Sequence, residues 1–99
     1  MRPCSLVISN EAKADIDTFI NHIYNVYKQP LTARRNRREL YRRIRELPTY
    51  AAAVGRNEYV QELFGMGARH IIYGKMAIIF FIKNDMIYIR RIIPAALIV

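Results

Sequence analysis

Residues 69–93 decide the fold: Arg69-His70-Ile71-Ile72-Tyr73, then Met76-Ala77-Ile78-Ile79-Phe80-Phe81-Ile82, then Met86-Ile87-Tyr88-Ile89-Arg90-Arg91-Ile92-Ile93. β-Branched and aromatic residues fill each run, as strands favour. Gly74-Lys75 joins the first two runs and Lys83-Asn84-Asp85 the second two. Connections this short force neighbouring strands antiparallel, because a parallel return needs a long crossover. The end of the chain is therefore predicted to be a three-stranded meander.

Upstream of the meander the apolar period changes. Ser5 to Ile8 is a short apolar run that suits a first strand, and Ser9 or Asn10 then offers a helix N-cap. Glu11, Asp15 and Asp17 place negative charge in the first turns, where the helix dipole favours it. Ala12, Ile16, Phe19, Ile20, Ile23 and Tyr27 recur every three or four residues and predict one continuous helical stripe. Gln29-Pro30 ends this helix, since the residue before proline is pushed out of the α region. Thr32 is expected to cap a second helix that runs to about Leu47, with a thinner stripe of Ala33, Leu40, Ile44 and Leu47. Helices joined so closely should lie as an antiparallel hairpin, and each must bury its stripe on the sheet.

Between hairpin and meander, Pro48-Thr49-Tyr50 reads as loop and Gly55-Arg56-Asn57 as a turn, while Glu58 to Phe64 suits either a short helical turn or an irregular segment. The element order is β-α-α-β-β-β. It predicts an α+β fold, a helix hairpin packed on a mostly antiparallel four-stranded sheet, in a single domain over residues 1–99.

Ninety-nine residues support one core, and 53% hydrophobic with 24% charged residues is a globular composition. Cys4 is the only cysteine, which excludes an internal disulfide and a cysteine-based zinc site and favours a reducing compartment. No apolar run approaches the ~20 residues of a membrane-spanning helix, and no signal-peptide stretch precedes Glu11. A cytoplasmic protein without a membrane contact is the expectation. No nucleotide-binding glycine motif, metal-ligand cluster or serine or cysteine triad is present, so no cofactor or metal is expected.

The net charge of +8 is unevenly spread. Residues 1–32 are neutral overall, while residues 33–47 carry seven arginines against Glu39 and Glu46. Arg34, Arg38, Arg42 and Arg45 fall on one helical face, with Arg35 and Arg43 beside it. A face kept only for solubility would mix signs, and arginine suits bidentate contact with carboxylate or phosphate. An acidic partner, protein or nucleic acid, is the natural reading.

Arg69, His70 and Lys75 form a second basic group and are the candidates for acid–base or phosphate chemistry. Strand alternation sends Arg69 and His70 to opposite faces, so only one of them can face outward. Arg90 and Arg91 should likewise diverge, and each needs a carboxylate such as Asp85 or Glu62 if it is not to bury an unpaired charge. The apolar ending from Pro94 to Val99, with Leu97 and Ile98 at its centre, must dock on the protein's own core or on a partner.

The stretch from Ala68 to Pro94, the Ile16/Phe19/Ile20/Ile23 helix and the arginine-rich helix ending in Leu47-Pro48 together resemble the RelE/ParE family of toxins from type II toxin–antitoxin modules. The resemblance covers nearly the whole chain. It implies a toxin neutralised by a cognate acidic antitoxin, with Arg34, Arg38, Arg42, Arg45, Arg90, Arg91, Leu97 and Ile98 as partner-binding candidates. Two activities live on that scaffold: ParE-like members poison DNA gyrase, and RelE-like members cleave mRNA in the ribosome. Here Ala77 stands where the RelE-like pattern carries an arginine, and neither arginine nor tyrosine follows Ile93. The resemblance therefore favours the ParE-like branch, with ribosome-dependent mRNA cleavage and a nontoxic nucleic-acid-binding module as the alternatives.

Overall fold

A computed structural model describes residues 5–98. Cys4 and Val99 lie outside the described residues. Strand β1 (Ser5–Ile8) is followed by helices α1 (Asn10–Tyr27) and α2 (Pro30–Glu46), then by short helix α3 (Glu58–Phe64). Strands β2 (Arg69–Tyr73), β3 (Met76–Lys83) and β4 (Met86–Pro94) complete the order. The sheet runs β1-β4-β3-β2, antiparallel through the meander, with β1 parallel to β4 at the edge. This is the predicted α+β architecture, with a mixed sheet.

Local chemistry explains the joints. In both hairpins of the meander the first turn residue has positive φ, Gly74 at 58° and Asn84 at 57°, where glycine and asparagine are the tolerated residues. Ser9 caps α1, its side chain accepting from the Ala12 N–H at 2.9 Å. Lys28 closes α1 in the left-handed region, and its N–H donates to the Tyr24 carbonyl. Pro30 does not stay outside the helices as predicted. It occupies the first turn of α2, with Gln29 rather than Thr32 at the N-cap, because proline there lacks only an N–H that no helical carbonyl would receive.

The sheet buries both faces. On the hairpin side, Ile16, Ile20, Leu40, Ile44 and Leu47 meet Ile78, Phe80, Ile87, Ile89 and Ile92. Each fully buried side chain of this size contributes roughly 1.5–3 kcal/mol. Tyr27, predicted to continue the α1 stripe, is exposed. On the opposite face Val60 from α3 joins Ala68, Ala77, Ile79 and Ile93, with Phe64, Phe81 and Ile98 packed against them. This second core went unread in the sequence, since the segment supplying its cover carried two competing readings.

One irregularity positions functional side chains. Arg91 lies opposite Ile79 and Ile89 opposite Phe80, so Arg90 is an extra residue, a bulge in β4. Strict alternation fails there, which removes the reason for placing Arg90 and Arg91 on opposite faces.

Candidate functional site

The three basic residues of the second group do not converge. Arg69, at the start of β2, donates from Nη1 to the Val54 carbonyl at 2.8 Å, with longer contacts to the carbonyls of Ala51 (3.4 Å) and Ala52 (3.3 Å). Its guanidinium thus closes the irregular segment between α2 and α3. His70 opposes Ile79, and burial lowers its pKa, keeping the imidazole neutral at physiological pH. Its Nδ1 is buried without a hydrogen-bond partner among the described residues. Lys75 sits in the turn beyond the far end of β2, six residues from Arg69, which is roughly 20 Å along an extended strand.

Arg90 and Arg91 are held, but not by Asp85 or Glu62. Arg90 pairs with Glu11, and Arg91 makes a two-pronged pair with Asp15, Nε to Oδ2 at 2.7 Å and Nη2 to Oδ1 at 3.0 Å. The cause is topological. β1 leaves the sheet after Ile8, where the Ser9 N–H donates to the Ile89 carbonyl and the Ser9 hydroxyl to the Arg90 carbonyl. Helix α1 therefore starts beside the uncovered half of β4, and Glu11 and Asp15, four residues apart, face consecutive arginines. Asp15 Oδ2 also accepts the Ile92 N–H at 2.9 Å, closing the strand edge that β1 abandons. The Asp15 hydrogen bond holds the Arg91 pKa above the usual arginine value.

On α2 the arginines divide into two sets. Arg37 pairs with Asp17 at 3.0 Å and stacks over the Tyr41 ring, while Arg42 pairs with Glu39 at 2.8 Å and lies 3.9 Å from Glu46. Among the described residues Arg34, Arg35, Arg38, Arg43 and Arg45 make no ion pair, and all five are exposed. Of the predicted row, Arg42 is thus the member whose charge is balanced locally.

A surface missed in the sequence lies on the sheet face away from the hairpin. Arg56, Arg69, Phe81, Lys83, Tyr88 and Arg90 line an open groove of about 540 Å³. Phe81 opposes Tyr88 across β3 and β4. Period-two spacing, Phe81 with Lys83 and Tyr88 with Arg90, was the available signal that would have joined these residues. At the tail, Ile98 packs on the second core while Leu97 stays exposed, lining a groove of about 510 Å³ with Phe19, His22 and Pro94. Of the two docking modes expected for the apolar ending, Ile98 takes the protein's own core.

No helix of the described residues is long and apolar enough to cross a membrane. No family model matches the sequence, and no curated protein matches it either. Among solved structures, a chain titled as the chromosomal ParDE toxin–antitoxin system from P. aeruginosa superposes with a TM-score of 0.76, covering 91% of this chain and 94% of that one. The fold is ParE-like. Sequence identity with that chain is 23%, so architecture is what the two share. In this fold, Ala77 is fully buried in the second core, where a cationic side chain would lie among apolar groups.

Proposed function

We propose that this protein is the toxin of a type II toxin–antitoxin module, ParE-like in action, inhibiting DNA gyrase and held inactive by a cognate acidic antitoxin. The observation that carries the reading is the shared architecture with a chain of the ParDE system over 91% of this sequence. Arg34, Arg38 and Arg45, without an ion pair among the described residues, suit an acidic segment that folds as it binds, and exposed Leu97 offers it an apolar contact. Mutual arginine–carboxylate pairing would then orient the segment along α2.

The separation of Arg69, His70 and Lys75 supports gyrase over mRNA. Phosphodiester cleavage needs several donors aimed at one developing charge. Arg69 is committed to backbone carbonyls, Lys75 lies far from it, and Ala77 supplies no donor. The groove of Arg56, Lys83, Arg90 and Tyr88 is the feature that favours the alternative, a ribosome-dependent endoribonuclease.

The test is induced expression in a bacterial host. Growth should arrest, and co-expression of an acidic protein encoded beside the gene should restore it. Mapping mRNA ends after induction separates the two activities. New in-frame cuts with normal plasmid supercoiling would replace gyrase by mRNA, and unaffected growth would remove the toxin reading.

A further inference from the structure

The sheet face that α3 partly covers carries a side-chain cluster that neither the core nor the antitoxin contacts use. Phe81 on β3 and Tyr88 on β4 stand directly opposite each other. Phe81 packs against the second core, which holds its ring in place, while Tyr88 is 40% exposed. They share the open groove of about 540 Å³ with Arg56, Lys83 and Arg90. Among the described residues that line it there is no carboxylate. Arg56 and Lys83 make no ion pair among the described residues. Arg90 pairs with Glu11, but both side chains are largely exposed, and a competing anion displaces such a pair at little cost.

An aromatic pair on adjacent strands, ringed by cations, offers π-faces for stacking and point charges for phosphate together. Lys83 follows Phe81 by two residues on β3, which places it on the same face about 7 Å further along. Arg90 stands at the bulge two residues after Tyr88. Both aromatics lie on interior strands: β3 runs between β2 and β4, and Tyr88 pairs with Val7 of β1 on its other side. A peptide therefore cannot join here as a further strand, because these strands have no free edge. What the groove presents is side chains alone. In a duplex the base faces are hidden by stacking, so only an unpaired base can lie on the two rings.

We infer that this groove binds an unpaired DNA strand, with bases stacked on Phe81 and Tyr88 and the flanking phosphates held by Arg56, Lys83 and Arg90. The size agrees: sites that enclose a drug-sized ligand run to roughly 300–1,000 Å³, and a nucleotide is of that size. Among the described residues that line the groove there is no histidine or carboxylate to take a proton, so the strand is held intact rather than cut. That the strand is DNA rests on the gyrase reading, since stacking and phosphate contacts do not by themselves read the sugar. On that reading the groove engages DNA unpaired within the gyrase complex, a role separate from that of the α2 arginines.

The experiment is fluorescence anisotropy of the full chain with labelled oligothymidylate of about 12 nucleotides, within the roughly 4–16 that one small β module covers. The competitors are an abasic strand of equal charge, a duplex of equal length and an oligouridylate. The oligothymidylate should bind, and the abasic strand and the duplex should each bind about fivefold or more weakly, because neither offers a base face. Tyr88→Ala should weaken the oligothymidylate by a similar factor and leave the abasic strand unchanged. Lys83→Ala and Arg56→Ala should each flatten the log–log salt dependence by roughly 0.7. Arg34→Ala with Arg45→Ala, on the far side of the molecule, should leave binding nearly unchanged. These positions are exposed, and an unaltered circular dichroism spectrum checks that each variant folds. With gyrase and relaxed plasmid, Tyr88→Ala with Lys83→Ala should lower the cleaved plasmid formed at a given dose. Oligothymidylate binding that Tyr88→Ala weakens, in a chain that leaves gyrase untouched, would support the groove and end the gyrase reading. Equal affinity for the abasic strand, tighter binding of the duplex or of the oligouridylate, or undiminished gyrase inhibition by the double variant would each overturn the inference, and the last would leave the gyrase reading intact.

Discussion

Replacing Asp15 by alanine probes the joint that fixes α1 against β4. The Asp15 side chain is 17% exposed and accepts three hydrogen bonds, from Arg91 Nε, Arg91 Nη2 and the Ile92 N–H. Hydrogen bonds to a charged group contribute about 1.5–3 kcal/mol each when buried. Arg91 is 34% exposed, so water takes over part of its share once the carboxylate is gone. The Ile92 N–H is less fortunate, because it faces the helix. We therefore expect Asp15→Ala to cost about 2–3 kcal/mol, lowering Tm by roughly 10–20 °C in a domain of this size. Arg91→Ala should cost less, about 1–2 kcal/mol, since Asp15 keeps its backbone partner. The neighbouring Glu11–Arg90 pair is a control: both side chains are largely exposed, at 59% and 43%, and Glu11→Ala should cost less than about 1 kcal/mol. Urea unfolding followed by circular dichroism measures all three, and the Asp15/Arg91 double-mutant cycle should give a coupling of about 1–2 kcal/mol. A loss within about 0.5 kcal/mol for Asp15→Ala, or one no larger than for Glu11→Ala, would refute the reasoning.

Ala77→Arg, which restores a cation at the RelE-like position, should destabilise by roughly 3 kcal/mol or more, because position 77 is fully buried beside Ile79 and Ile93. Thermal unfolding checks this, and a variant as stable as wild type would reopen that position as a site. His70 has a lowered folded pKa through burial, so the unfolded chain binds the proton more readily. Stability should therefore fall as pH drops below about 6.5, and His70→Gln should flatten the dependence between about pH 7.5 and 5.5; an unchanged slope would assign it elsewhere. Gly74→Ala places a Cβ at φ 58° and should cost about 1 kcal/mol by urea titration, with no clash to add to it.

The meander was legible because its signals are local. β-Branched runs and two short turns fix strand order among β2, β3 and β4 whatever the rest of the chain does. The α2 stripe of Ala33, Leu40, Ile44 and Leu47 was read correctly and is wholly buried. Pro30 was misplaced because proline is compatible both with ending one helix and with opening the next, and only the tightness of the Lys28-Gln29 connection selects the second. The partners of Arg90 and Arg91 were out of reach for a different reason. Glu11 and Asp15 lie more than seventy residues away in sequence, and they meet the arginines only because β1 pairs parallel with β4 and hands the edge to α1. In sequence Asp15 serves equally well as dipole compensation in the first turns, and nothing local marks it as an edge cap. The groove around Phe81 and Tyr88 is not legible residue by residue, because it exists only through their cross-strand pairing.

The most direct measurement is gyrase activity in the presence of the purified chain. With relaxed plasmid, ATP and gyrase, the chain should block supercoiling in a dose-dependent way and cause cleaved plasmid to accumulate, and Arg34, Arg38 and Arg45 variants that lose antitoxin binding should still do so. Undiminished supercoiling with the chain in large molar excess would contradict the central claim.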